Sequence, residues 1–447
     1  MKRYDARRTN PEELRVSLMR PPLDEVAVSP SVARGVEAIF GPGVTPEEAV
    51  RRIVADVEAH GDAAVVEYLE KIDGVKLAGT SLFADDDEIE AARQAVRPEE
   101  LRAIRHACRR IQAFHEAQRE RSWFTTGPHG EILGQRVIPL ERVGCYVPGG
   151  RAPLLSTALM SVVPAKVAGV EDIVVATPPR PDGTVNPYVL VAALEAGAHR
   201  VLKVGGAQAV AALAYGTTWI PKVDKIVGPG NIFVTLAKRA VFGRVGIDAL
   251  NGPSELAVIA DESADPKWVA ADLLSQAEHD TEAAAVLFAV GDEVASAVVS
   301  EVEKQLNALP RREVARESLD RWGAAIVCRD VDEACDWLNV LAPEHAELCV
   351  REPFAILSKI RFAGAVFLGP WSTEPVGDYI AGPNHILPTN GTARFSSPLG
   401  VYDFVRRSSV IAYTKEALAE VAEDGSLLAR LEGLDGHARA FDVRKHD

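Results

Sequence analysis

The chain has 447 residues, 47% of them apolar, and a formal net charge of −15. A chain of this length is expected to hold roughly two or three domains, and its acidic balance argues against nucleic acid as the main partner, because phosphate contacts need a basic surface. No run of about 18 apolar residues occurs, and the charged opening Met1-Lys-Arg-Tyr-Asp has no apolar stretch behind it, so neither a membrane span nor a signal peptide is expected. Cys108, Cys145, Cys328, Cys335 and Cys349 are odd in number and show no Cys-x-x-Cys spacing, which reads as reduced, buried cysteines of a cytoplasmic protein.

Residues 1–42 carry Pro11, Pro21, Pro22, Pro30 and Pro42 and read as an arm without a core, which must lie on something else, a partner subunit being one option. Thr45-Pro-Glu-Glu48 then opens a helix with a cap, a proline at the first position and early acids, and helical patterns run to about residue 121. The segments 131–139 and 141–147 look like paired strands. Strand–helix units follow: strand 173–177, helix 188–195 ended by Gly197, strand 200–204, helix 207–214 ended by Gly216, strand 224–227, helix 231–242. The alternation restarts with strand 256–260, a helix capped by Asp265-Pro266, strand 284–290, a long helix to Leu309, and strands 324–327, 347–350 and 365–368. Short continuous apolar strands alternating with helices imply parallel sheets covered on both faces. Two similar α/β halves with a ligand cleft between them are therefore expected, followed from about Leu399 by a helical tail.

The helix that Asp265 opens ends in Ser275-Gln-Ala-Glu-His-Asp280, where Gln276 and His279 lie roughly 60° apart on one helical face. A glutamine oxygen and an imidazole nitrogen one turn apart can grip a metal ion, although two polar residues at a solvated helix end have the same spacing. No G-x-G-x-x-G follows a strand, but Val147-Pro-Gly-Gly-Arg151, Gly205-Gly-Ala-Gln208 and Gly228-Pro-Gly-Asn231 sit at strand ends. Backbone N–H groups at such helix starts can hold a pyrophosphate, and together the three favour a nucleotide over ordinary turns. Glu344 and His345 adjoin at a helix-to-strand junction and read either as an acid–base pair or as a solvated pair. Asp378 and His385 lie in Gly- and Pro-rich loops after the last strand, and His437 sits near the chain end. Gln276, His279, Asp378 and one further histidine would make an N/O site suited to zinc, with manganese or cobalt as options.

Nine segments carry a resemblance. They are Tyr146-Val-Pro-Gly-Gly150, Gly228-Pro-Gly-Asn231, Asn251-Gly-Pro-Ser-Glu255, Ser275-Gln-Ala-Glu-His-Asp280, Ala342-Pro-Glu-His345, Gly377-Asp-Tyr379, Gly382-Pro-Asn-His385, Thr392-Ala-Arg-Phe-Ser-Ser397 and Glu432-Gly-Leu-x-x-His437. In this order they resemble histidinol dehydrogenase over nearly the whole length. The resemblance implies Gln276, His279, Asp378 and His437 as ligands of one zinc per subunit, the last from the other chain of an intertwined homodimer. It implies NAD contacts at Tyr146, Gln208 and Asn231, and substrate contacts at Ser254, His385 and Glu432 beside the metal ligands and His345. Glu344 and His345 become the acid–base pair that oxidises L-histidinol to L-histidine through the aldehyde. The implied fold is two incomplete Rossmann-like halves of aldehyde dehydrogenase-like architecture with swapped terminal segments. Its division is an arm over 1–42, a first domain of 43–145 plus 255–398, an NAD-binding domain over 146–254, and a tail over 399–447 that reaches the partner's site. Ala346 and Gly436 depart from the common leucine and alanine, and Cys145 from an apolar residue, without replacing a site residue. A relative acting on another small alcohol, such as a sulfonated propanediol, and a zinc hydrolase using Glu344 are the rival expectations.

Overall fold

Two parallel sheets organise the computed structural model, which describes residues 1–20, 30–149 and 153–445. The first sheet has the spatial order Arg200–Leu202, Asp172–Ala176, Arg142–Tyr146, Lys225–Val227, Gly246–Ile247. The second has the order Lys2–Asp5, Ala324–Cys328, Ala284–Val290, Glu255–Ala260, His345–Cys349, Ala365–Leu368. In each, the chain winds outward from a central strand and then reverses to the other side, the doubly wound arrangement. The expected α/β class with two similar halves is thus what the chain adopts.

Both sheets are covered on both faces, which is why their central strands are largely apolar rather than alternating. One face of the first sheet takes Leu155–Ala168, a helix buried almost all round and without the 3.6-residue stripe that would have marked it in the sequence. The other face takes Gly206–Tyr215 and Ile232–Val241. The helices Pro46–His60 and Pro98–Glu116, expected with the second sheet, share the cores of the first. Their amphipathic stripes specify a sheet to cover without specifying which one.

Other pairings also differ from the sequence reading. Ile132–Pro139 and Arg142–Tyr146 do not pair with each other. The former joins a separate antiparallel sheet with Trp123–Thr126 and Val405–Ala412, and the latter is the buried centre of the first parallel sheet. The tail therefore begins with a strand, Val405–Ala412, before the helices Lys415–Leu431 and Asp435–Asp442. The start of the arm lies on its own chain: Lys2–Asp5 adds an edge strand beside Ala324–Cys328, and Leu14 and Leu18 bury against the same sheet. Of the arm's prolines, Pro21 and Pro22 lie outside the described residues, as do Gly150 and Arg151 of one glycine turn. The described residues include no helix long and apolar enough to cross a membrane. All five cysteines are free, and all but the half-buried Cys108 are buried.

Candidate active site

The site forms where the second sheet begins. Glu255 and His345 are the first residues of adjacent parallel strands, with His345 opposite Leu256. The helix Pro266–Ala277 runs back antiparallel to these strands, so its last turn reaches the same edge. Asp265 caps that helix by accepting the Lys267 N–H at 2.8 Å. Gln276 lies in the final turn, fully buried, and neither its amide oxygen nor its amide nitrogen has a hydrogen-bond partner. His279 falls just beyond the helix, which ends at Ala277, and its Nε2 lies 3.9 Å from Asp378 Oδ2. The solvated helix end is therefore ruled out for Gln276, while His279 remains half-exposed.

Asp378 sits on the short helix Glu374–Tyr379 after the last strand. Besides His279, its carboxylate faces His345 Nε2 at 3.9 Å and His385 Nδ1 at 3.7 Å. None of the three contacts is close enough for a hydrogen bond. His385 Nδ1 lies 3.0 Å from the Asp378 carbonyl oxygen, and its Nε2 lies 3.4 Å from Thr157 Oγ1 on the buried helix of the first half. The loop carrying His385 thus ties the two halves together, helped by Asn384 Nδ2, which donates to the Met160 carbonyl at 2.7 Å. A cavity of about 570 Å³ opens here, lined among others by His345, Phe367, Asp378 and His385.

Glu344 and His345 are both buried, which excludes the solvated pair. His345 Nδ1 lies 3.2 Å from the Glu255 carbonyl oxygen. A carbonyl can only accept, so Nδ1 carries the proton and Nε2 keeps the lone pair, turned toward Asp378 and Glu374. Burial holds the imidazole down at about 4 against the pull of Asp378, so it is neutral near pH 7. The Glu344 carboxylate accepts the Glu255 N–H at 3.0 Å. Burial raises it well above the usual carboxylate range, the charges of Glu255 and Asp378 add to this, and the Ser254 hydroxyl opposes it.

Glu374 was not singled out by the sequence reading. It precedes Asp378 by four residues on one short helix, and that spacing was the available signal. It is buried with one carboxylate oxygen unpartnered, and burial followed by repulsion from Asp378 pushes it up to about 9. His345, Glu374 and Asp378 bring one ligand-type atom each within 4.8 Å of one another.

The proposed cofactor residues lie at the carboxyl ends of the first sheet. Tyr146 ends its central strand, and its hydroxyl accepts the Gly206 N–H at 3.0 Å. Gln208 is buried, its amide nitrogen donates to Asp73 Oδ2 at 3.3 Å, and its amide oxygen has no partner. Asn231 caps the helix Ile232–Val241 by accepting the N–H groups of Phe233 and Val234. Tyr146 and Asn231 flank the point where the strand order reverses, the usual place for a ligand in such a sheet. A Cβ on Gly228 would lie 2.2 Å from the Tyr146 carbonyl oxygen, and its φ of +111° suits only glycine, so the loop can approach this closely. Glu432 and His437 stand apart on the tail: both are exposed, and neither reaches the other site residues of the same chain by a hydrogen bond or ion pair.

Against known proteins, residues 44–445 match the family model described as histidinol dehydrogenase. A curated histidinol dehydrogenase of Halalkalibacterium halodurans is 54% identical over 401 residues, covering 90% of this chain and 94% of that protein. One from Aquifex aeolicus is 52% identical over 401 residues, covering 90% and 93%. The crystal structure of histidinol dehydrogenase from Elizabethkingia anophelis superposes with a TM-score of 0.90 at 35% identity, covering 99% of this chain and 98% of that one. The matched span runs through every candidate site residue from Tyr146 to His437, and the chain belongs to the histidinol dehydrogenase family.

Proposed function

We propose that this enzyme oxidises L-histidinol to L-histidine in two successive hydride transfers to NAD, through L-histidinaldehyde, with one zinc ion per site. The zinc would be held by Gln276, His279 and Asp378, with His437 donated by a second copy of the chain. The observation that supports the reading is a buried Gln276 amide without a hydrogen-bond partner, three residues before His279, whose Nε2 lies 3.9 Å from the Asp378 carboxylate that also faces His345 Nε2. A buried amide without partners costs free energy, and coordination through its oxygen accounts for leaving it there. The oxygen- and nitrogen-only donor set suits zinc. The grouping of His345 with Glu374 and Asp378 is a second cation set. We favour the set with Gln276, because it leaves His345 Nε2 available as a base.

Leu427, Leu428, Leu431 and Leu434 are exposed on the tail that bears Glu432 and His437. An apolar stripe of this kind supports a homodimer in which each tail covers the partner's site. Tyr146, Gln208 and Asn231 would hold NAD, and Ser254, His385 and Glu432 would hold the amino alcohol. The free cysteines fit a cytoplasmic enzyme, and the net charge of −15 argues against nucleic acid as a partner.

When bound, zinc orients the substrate through its nitrogen donors and NAD accepts the hydride. The chain's own groups manage the protons. His345 Nε2 takes the hydroxyl proton as the first hydride leaves, while Nδ1–H stays on the Glu255 carbonyl and keeps the ring in place. The imidazolium then gives its proton to the aldehyde oxygen while Glu344 takes one from water as the water oxygen bonds to the aldehyde carbon, giving the hydrate, and Glu344 afterwards releases that proton to solvent. His345 then takes a hydrate hydroxyl proton as the second hydride leaves, giving the carboxylic acid. The burial that raises Glu344 also makes its carboxylate a stronger base.

The test is NADH formed per L-histidinol consumed. Two supports the full sequence, one means that oxidation stops at the aldehyde, and none overturns the reading. Another small alcohol as substrate is not favoured, because curated relatives above half identity carry the histidinol dehydrogenase name.

A further inference from the structure

Glu255 moves no proton in the chemistry just described, yet its backbone touches both groups that do. Its N–H donates to Glu344 Oε2 at 3.0 Å, and its carbonyl oxygen lies 3.2 Å from His345 Nδ1. At the start of a central strand these two peptide groups would ordinarily serve the sheet ladder or a turn. Here a single residue's backbone brackets two adjacent side chains, so a rotation at this residue moves both contacts together.

The Glu255 side chain is almost fully buried and is itself gripped from two directions. One carboxylate oxygen accepts the Asn390 N–H at 3.2 Å, and the other lies 3.3 Å from Arg20 Nε. Arg20 comes from the N-terminal arm, and its side chain is only 6% exposed. Its guanidinium also donates to the Glu282 carbonyl and stacks 4.6 Å from the Trp322 ring centroid. The Nε contact to Glu255 is an ion pair without a hydrogen bond, whereas the Glu282 carbonyl and the Trp322 ring hold the planar guanidinium, and a lysine ammonium cannot reproduce the ring contact.

We propose that Glu255 is a positioning residue for both Glu344 and His345, and that Arg20 fixes it in place from the N-terminal arm. The inference rests on the acid–base reading of Glu344 and His345. It gives the arm a part in catalysis without any contact to substrate, metal or cofactor.

The test uses the full-length, zinc-loaded enzyme and follows the alcohol step and the step from supplied L-histidinaldehyde separately. Arg20→Met, Glu255→Gln and the apolar double variant Arg20→Met/Glu255→Met are compared with Arg20→Lys. The double variant replaces a buried ion pair with side chains of similar length, a change that is often neutral for stability. Small misplacement of reacting groups costs on the order of 10²-fold in rate. We therefore expect kcat of both steps to fall together by roughly 10- to 100-fold in Arg20→Met and the double variant. KM for L-histidinol and zinc content should stay unchanged, and Arg20→Lys should recover part of kcat. Unchanged kcat in the folded double variant would overturn the proposal. So would a loss that tracks zinc content or thermal midpoint, which marks a merely structural pair. Glu344→Gln and His345→Asn run in parallel separate the two levels: if neither impairs either step, the acid–base reading fails, whereas if they impair catalysis and the Glu255 and Arg20 variants do not, only this inference fails.

Discussion

Lys238→Met should be among the most destabilising single changes near the proposed cofactor loop. Lys238 Nζ is buried against the Asp248 carboxylate and donates to the Gly228 carbonyl at 2.9 Å. Asp248 in turn accepts the Gly228 N–H at 2.8 Å. The pair thus holds both peptide groups of the glycine that approaches Tyr146. Removing the ammonium strands a buried carboxylate, a loss of about 3–5 kcal/mol. Urea unfolding at fixed protein concentration should show a loss of about 3–5 kcal/mol at pH 7. Lys238→Met/Asp248→Leu should recover most of it. KM for NAD should rise in the single variant. A loss below about 1 kcal/mol at pH 7 refutes charge burial as the cause.

Three further outcomes follow from the site. Gln276→Leu removes an unpartnered buried amide, so with chelator present it should stabilise the chain by about 1–3 kcal/mol, while zinc content measured by metal analysis falls; equal zinc content would remove Gln276 from the ligand set. Mixing a His437→Asn chain with a His345→Asn chain should restore activity that neither has alone, because one site of the mixed dimer is then intact; continued inactivity of verified heterodimers would place His437 in its own chain's site. Asp73 is pushed up to about 6 by burial, above its unfolded value of 3.8, so the folded chain binds the proton more tightly and stability falls as pH rises from about 4 through about 6. Asp73→Asn should remove that fall, amounting to about 2–3 kcal/mol in thermal or urea midpoints, and an unchanged pH profile would show that the group is not desolvated as the fold suggests.

Much of the architecture follows from local chemistry. Asp265-Pro266 starts its helix and Gly197 and Gly216 end theirs, because caps and left-handed backbone are properties of a few adjacent residues. Continuous apolar strands between helices specify parallel sheets for the same reason. The family is readable from ordered motifs, and Gln276, His279 and Asp378 stand out as metal-ligand candidates by residue type and spacing. Other features depend on which surfaces meet. An amphipathic stripe over 46–60 can cover either sheet, and a strand over 132–139 can pair with 405–412 far along the chain as well as with its neighbour. The second sheet presents its proposed site at its amino edge, whereas the first presents its cofactor candidates at the carboxyl ends; that opposition depends on how the halves face each other. The same holds for Glu374, which gains meaning only when its helix folds back beside His345, and for Glu255, whose peptide groups carry no signature in a sequence. Periodicity and capping determined what each segment of this chain can become, whereas tertiary burial alone decided the neighbours of each polar group and hence which of them act together.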